Sequence, residues 1–97
     1  MKINAIRRYK LTKSKLIKYV EIHDDTWQSI TIPMNANKVY LYNINEDENS
    51  IAYYDYKDDT LKDNGSIKYA EKKEFINIIN RNPSLLVKGD IYIELVK

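Results

Sequence analysis

Few residues in this chain are of a type that does chemistry, and their spacing removes most reaction classes. His23 is the one histidine, and Asp24 and Asp25 follow it directly. A metal would need further ligands from distant parts of the chain, whereas two aspartates between strands are the ordinary make-up of a solvated turn. No metal ligand and no cofactor is assigned. A serine nucleophile needs a base beside it, yet none of Ser14, Ser29, Ser50, Ser66 and Ser84 sits in a glycine-rich elbow. The absence of cysteine removes thiolate nucleophiles, thiolate zinc sites and disulfides together. Loops that cradle phosphate need closely spaced glycines, and Gly65 and Gly89 stand 24 positions apart. Asp90, Glu94 and Lys97 are the residue types a metal-dependent nuclease uses, two carboxylates for the cation and an ammonium near the water. Their spacing is loose, so a small nuclease is only the third reading. The chain is read as non-enzymatic, with no catalytic residue.

Binding chemistry is better represented. The net charge of +2 hides a segregation: residues 1–20 hold seven basic side chains and no acid, while residues 21–63 hold ten acids against Lys38, Lys57 and Lys62. Such asymmetry creates local fields that the net value conceals. Arg7, Arg8, Lys10, Lys13, Lys15 and Lys18 could neutralise phosphates, with tyrosines stacking on exposed bases. That makes direct nucleic-acid binding through a basic N-terminal hairpin the alternative reading. The leading one uses the acidic, tyrosine-bearing stretch Glu46, Asp47, Glu48, Tyr53, Asp55, Asp58 and Asp59, together with Tyr40 and Tyr42. Carboxylates on a hairpin can mimic a phosphate row, and tyrosine gives large contact area at small entropic cost. The same acids also fit a solvated hairpin, and basic arm and acidic middle could face one another across one sheet.

The elements that must position these groups follow from periodicity. Ile3–Leu11 and Leu16–Ile22 read as a hairpin around Thr12-Lys13-Ser14-Lys15, although Ser14 could instead cap a helix bearing Leu16, Ile17 and Val20. Trp27–Ile32 alternates and stops at Pro33, giving a further strand. Lys38–Ile44 and Ile51–Lys57 form a hairpin in which Tyr42 faces Tyr53 and Tyr40 faces Asp55, with Val39, Leu41, Ala52, Tyr54 and Tyr56 on the core side. Asn64-Gly65 is a turn dipeptide closing an acidic loop. Phe75, Ile78 and Ile79 fall at helical spacing ahead of Pro83, which predicts a helix over Tyr69–Arg81. Lys88-Gly89-Asp90 reads as a turn before a last strand, Ile91–Val96.

With 97 residues, 43% of them hydrophobic, the chain is expected to fold as a single domain over 1–97. The predicted class is α+β, a mainly antiparallel sheet of five or six strands with one helix packed on it in the C-terminal half. The core candidates are Ile6, Leu16, Val20, Ile30, Ile32, Val39, Leu41, Tyr54, Phe75, Ile79, Ile91 and Ile93. No apolar run approaches the roughly 20 residues of a membrane span, so the expected location is cytoplasmic and no membrane partner is assigned. Abundant Lys, Asn, Ile and Tyr reflect A·T-rich coding. Small, cysteine-free and non-catalytic, the chain is compatible with the inhibitors that phages and mobile elements direct at host defence. The functional expectation is a binder that occludes a protein involved with nucleic acid.

Overall fold

The computed structural model describes residues 16–57, 62–76 and 84–97. They form six strands: β1 (Leu16–Ile30), β2 (Lys38–Asn43), β3 (Ile51–Lys57), β4 (Lys62–Lys68), β5 (Lys72–Ile76) and β6 (Ser84–Val96). Every pairing is antiparallel, and β6 is the hub. One edge of β6 takes β1, from Leu16 opposite Val96 to Ile30 opposite Leu85. Its other edge takes β3 beside Ser84–Lys88 and β2 beside residues 91–96. β4 and β5 then flank β3 and β2. The six strands therefore behave as four long ribbons.

Each ribbon deviates at the same level. β1 shifts register between Asp24 and Gln28, β6 carries Gly89 at φ 113°, and Ala70 at φ 62° lies between β4 and β5. In the fourth ribbon, residues 44–50 interrupt β2 and β3. The aligned breaks curl the sheet into a nearly closed barrel, because a bulge or a left-handed residue bends a strand without ending its neighbours' pairing. Both halves then face one core, Val39, Leu41, Ile93 and Leu95 from one side and Tyr54, Tyr56, Leu85 and Val87 from the other. Strand alternation supplies these residues. In β3, Ala52, Tyr54 and Tyr56 are buried while Ile51, Tyr53 and Lys57 are exposed.

The α+β class is overturned, because the described residues contain no helix. Lys72–Ile76, expected within a helix, instead pairs with β2, Phe75 lying opposite Val39 and Glu74 opposite Tyr40. Without β5 that edge of β2 would leave backbone donors and acceptors unpaired, and satisfying them outweighs a three-residue helical pattern. Residues 77–81 lie outside the described residues, as do Ile6, Ile79 and the expected strand Ile3–Leu11. Residues 16–22 are strand rather than helix, and they continue through Trp27 as one element. Asn64-Gly65 lies within β4, and Lys88-Gly89-Asp90 bends β6 without ending it.

The expected β2–β3 hairpin is also corrected. Tyr42 lies opposite Tyr92 and Tyr53 opposite Lys88, because both strands line up along β6. The core side is nonetheless as expected, since Val39, Leu41, Ala52, Tyr54 and Tyr56 are all core, but of the tyrosines expected as a surface row only Tyr53 is exposed: Tyr42 is buried against Tyr92 and Tyr40 is half-buried. Ile30, Ile32, Ile91 and Ile93 are buried with them, Val20 packs against the cluster, and Leu16 is half-buried. No helix among the described residues is long and apolar enough to cross a membrane.

Gly89 is the tightest point of the bend, since a Cβ there would stand 3.2 Å from the Ala52 Cα in a backbone region that side chains rarely adopt. Urea denaturation of Gly89→Ala should show a loss of about 1–3 kcal/mol. Ala70→Gly should be neutral or stabilising by up to ~1 kcal/mol, because it relieves a left-handed residue. Undiminished stability in Gly89→Ala would contradict this account of the curl.

Candidate functional site

Residues with side chains away from the core form an outer face with three distinct regions. The first lies at the bend. His23 and Asp90 are directly opposed on β1 and β6, and Nδ1 of His23 lies 2.8 Å from Oδ1 of Asp90. On the other side of the ring, Nε2 lies 2.7 Å from Oε2 of Glu21. The imidazole is thus held between two carboxylates. Hydrogen bonds to Glu21 and then Asp90 raise its pKa above 6.5, since they favour the doubly protonated ring. Asp90 also accepts from the Asn45 side-chain amide, and its backbone carbonyl accepts from Ile44 N–H at 3.1 Å.

That contact anchors the loop of residues 44–50 against β6. The loop is shaped by successive Asn and Asp side chains that accept backbone N–H bonds two residues on: Asn43 from Asn45, Asn45 from Asp47, and Asp47 from Asn49. Glu46, Asp47 and Glu48 are left exposed beside the clasp. Asp24 and Asp25 lie on the adjoining bulge of β1. There Asp24 accepts from the Thr26 hydroxyl and N–H, which lowers its pKa. Seven carboxylates (Glu21, Asp24, Asp25, Glu46, Asp47, Glu48 and Asp90) therefore belong to the segments that meet at the bend, and two of them, Glu21 and Asp90, hold the imidazole.

The second region is covered. Tyr42 and Tyr92 are buried, and their hydroxyls donate to Glu94 Oε1 and Oε2 at 3.4 and 3.2 Å. Glu94 is itself only 1% exposed. Burial, followed by the Glu94 charge, pushes the Tyr92 hydroxyl far up, so it stays a donor at any physiological pH. Tyr40 stacks on Tyr42, and Lys72 lies 5.4 Å above the Tyr40 ring.

The third region is open and occupies the other half of the face. Directly paired residues share a face, so Ile51, Tyr53, Asp55 and Lys57 of β3 align with Lys68, Ser66, Asn64 and Lys62 of β4. From β6, Lys88 lies opposite Tyr53 and extends its ammonium over two half-exposed rings, 5.2 Å from Trp27 and 5.1 Å from Tyr53. Trp27, Tyr53, Asp55, Asn64 and Ser66 line an open depression of about 400 Å³. A Cβ on Gly65 would stand 3.0 Å from the Tyr54 hydroxyl, so a side chain there would press on that ring.

The sequence-derived partner surface is accordingly distributed over all three regions. Glu46, Asp47 and Glu48 are at the bend, Tyr40 and Tyr42 in the covered region, and Tyr53 and Asp55 in the open one. Asp58 and Asp59 lie outside the described residues, as do Arg7, Arg8, Lys10, Lys13 and Lys15 of the basic arm; Lys18 is exposed on β1. Sequence reasoning missed the grouping of Trp27, Lys57, Lys62, Lys68 and Lys88. Its signal is the alternation Lys62, Asn64, Ser66, Lys68, concealed by the turn-like Asn64-Gly65. Sequence reasoning also missed the pairing of His23 with Asp90, which only the register supplies.

Among the described residues no three histidine, aspartate or glutamate side chains are placed to hold a metal ion. Asp90 and Glu94 are committed to different neighbours, His23 and the tyrosines respectively. His23 has a carboxylate on each ring nitrogen, an arrangement that clasps β1 to β6 and leaves neither nitrogen open to a substrate hydroxyl.

The raised His23 pKa fixes the sign of its pH dependence. The folded state binds the proton more tightly than the unfolded chain, so the clasp contributes fully below about pH 6.5 and its contribution fades as pH rises through the folded pKa. Because the group is exposed, the effect on stability is small. NMR titration should place the His23 pKa above 6.5 and show Asp90→Asn lowering it; an identical pKa in Asp90→Asn would contradict the clasp. Comparison of the chain with protein-family models, with curated proteins and with solved structures found no match.

Proposed function

We propose that this chain is a non-enzymatic binding domain whose acidic pole docks on the basic surface of a protein that handles nucleic acid, and so occludes it. The observation that carries this reading is the gathering of seven carboxylates at the bend. They come from three separate segments: β1 up to and including its bulge, the loop of residues 44–50, and the centre of β6. Asn45 and Asp90 bind the loop to β6, and Asp90 and His23 bind β6 to β1. Preorganised charge is more effective in recognition than the same charge on a mobile tail, because less ordering is needed on docking. A field of one sign also speeds encounter with a partner of the other. The capped His23 ring supports the non-enzymatic part of the reading.

The test is affinity capture from the native host, with and without nuclease treatment. The expected result is a protein retained after nuclease treatment and released by moderate salt. Combined reversal of Glu46, Asp47 and Glu48 to lysine should weaken its capture at least tenfold while leaving the thermal midpoint near that of the wild type, since these side chains are exposed. Full capture by the folded triple variant would refute the choice of surface.

A further inference from the structure

We infer that the open half of the outer face is a binding site for single-stranded nucleic acid, distinct from the acidic pole. The face is formed by β3 and β4, the first part of β6, and Trp27 of β1. Among the described residues, the paired positions of β3, β4 and the first part of β6 place Lys57, Lys62, Lys68 and Lys88 on it with one carboxylate, Asp55. None of these lysines has a carboxylate partner among the described residues. Lys73 of β5, by contrast, is ion-paired, reaching Asp63 of β4 at 2.9 Å on the other side of the sheet. Four ammonium groups on one sheet face make a field complementary to phosphate.

Charge alone would suit any polyanion; the rings select among them. Trp27 and Tyr53 are half-exposed and stand on either side of β6, so they are two interstrand spacings apart, about 10 Å. Lys88 places its ammonium between them and holds both rings by cation–π attraction. Each ring presents aromatic surface on which an unpaired base can stack, and bases locked in a duplex cannot reach it. Asp55, Asn64 and Ser66 line the depression beside Tyr53 with an acceptor and two groups that both donate and accept. A volume of about 400 Å³ suits one nucleotide with its base edge turned toward them. The carboxylates at the bend set the direction, since they repel phosphate from that side. The strand runs from the rings toward Lys57 and Lys62, about 13 Å along β3 from Tyr53.

Trp27 is the only tryptophan, so its fluorescence reports this face directly. The probe is an oligothymidylate of roughly 12 nucleotides, compared with a duplex of equal length and with heparin, a polyanion without bases. Quenching by the single strand is expected, with a log–log salt slope of about −2.8 for four phosphates. Lys57→Ala with Lys62→Ala should reduce that slope by about 1.4. Tyr53→Ala, followed by anisotropy of the labelled strand, should weaken single-strand binding by roughly 5- to 150-fold and leave heparin binding unchanged. Tyr53→Phe, which keeps the ring, should restore it. The inference is overturned by a lack of binding at low salt, by duplex or heparin binding as tight as the single strand, or by a single-strand affinity unaffected by the lysine and Tyr53 changes. The last result would assign binding to another part of the chain. Protein capture by the residue 46–48 variant tests the acidic pole, and strand binding by the Tyr53 and lysine variants tests this site, so the two can fail separately.

Discussion

The whole molecule depends on β6 passing through its bend without losing either ladder. It is the strand that every other ribbon reads for register: β1 along one edge, β3 and then β2 along the other. Gly89 allows it, because at φ 113° and with the Ala52 backbone so close, any side chain would push β6 away from β3. Were the bend absent, the half carrying Tyr54, Tyr56, Leu85 and Val87 would not meet the half carrying Val39, Leu41, Ile93 and Leu95. The core of a small sheet protein depends on that meeting, since a single flat sheet exposes one apolar face to water. The same bend brings Asp90 to His23 and to the loop of residues 44–50, so the folding constraint and the acidic pole have one origin.

The outer face illustrates how burial and exposure can divide a single sheet surface. Where Glu94 lies between Tyr42 and Tyr92, a buried carboxylate is tolerated because two hydroxyls donate to it. Around Lys88, by contrast, aromatic rings of similar size stay half in water. Residue type does not make this distinction, since tyrosine occupies both places. Position along β6 separates these two groups, Tyr42 and Tyr92 lying beyond Asp90 and Trp27 and Tyr53 beside Lys88 before it, while Tyr19 covers Tyr92 from the β1 side and is itself half-exposed.

These particulars explain what could be read from sequence. Alternation in Ile51–Lys57 assigned Tyr54 and Tyr56 to the core and Tyr53 outward, because side-chain period follows from strand geometry whatever the partner. Partner choice is non-local. Nothing near Tyr42 or Tyr53 indicates that β6, from the far end of the chain, takes the place each was expected to fill. The helix over 69–81 failed for a related reason: Phe75, Ile78 and Ile79 fit a helical stripe, but the open edge of β2 determined the backbone of Lys72–Ile76. The surfaces were legible as composition and not as grouping. Charge counting found an excess of acid in residues 21–63 without showing that Glu21, Glu46 and Asp90 would gather, or that Lys57 and Lys62 would stand on a different surface from the acids around them.

The two poles are close enough to influence one another. Lys88 and Asp90 project from the same face of β6 two residues apart, roughly 6.6 Å, which is inside the screening length of about 8 Å at physiological ionic strength. An anion held near Lys88 therefore raises the potential cost of the unprotonated clasp and increases the proton affinity of His23. Linkage makes the effect reciprocal: protonating His23 adds positive charge beside the open face and strengthens anion binding there by the same factor. A basic protein seated on the acidic pole acts in the opposite sense on His23, since its cations stabilise the neutral ring. The clasp that fixes β1 to β6 is thus also the group through which an anion at one pole and a basic protein at the other would act on each other. Its reach is set by ionic strength, because the bend exposes both poles to solvent.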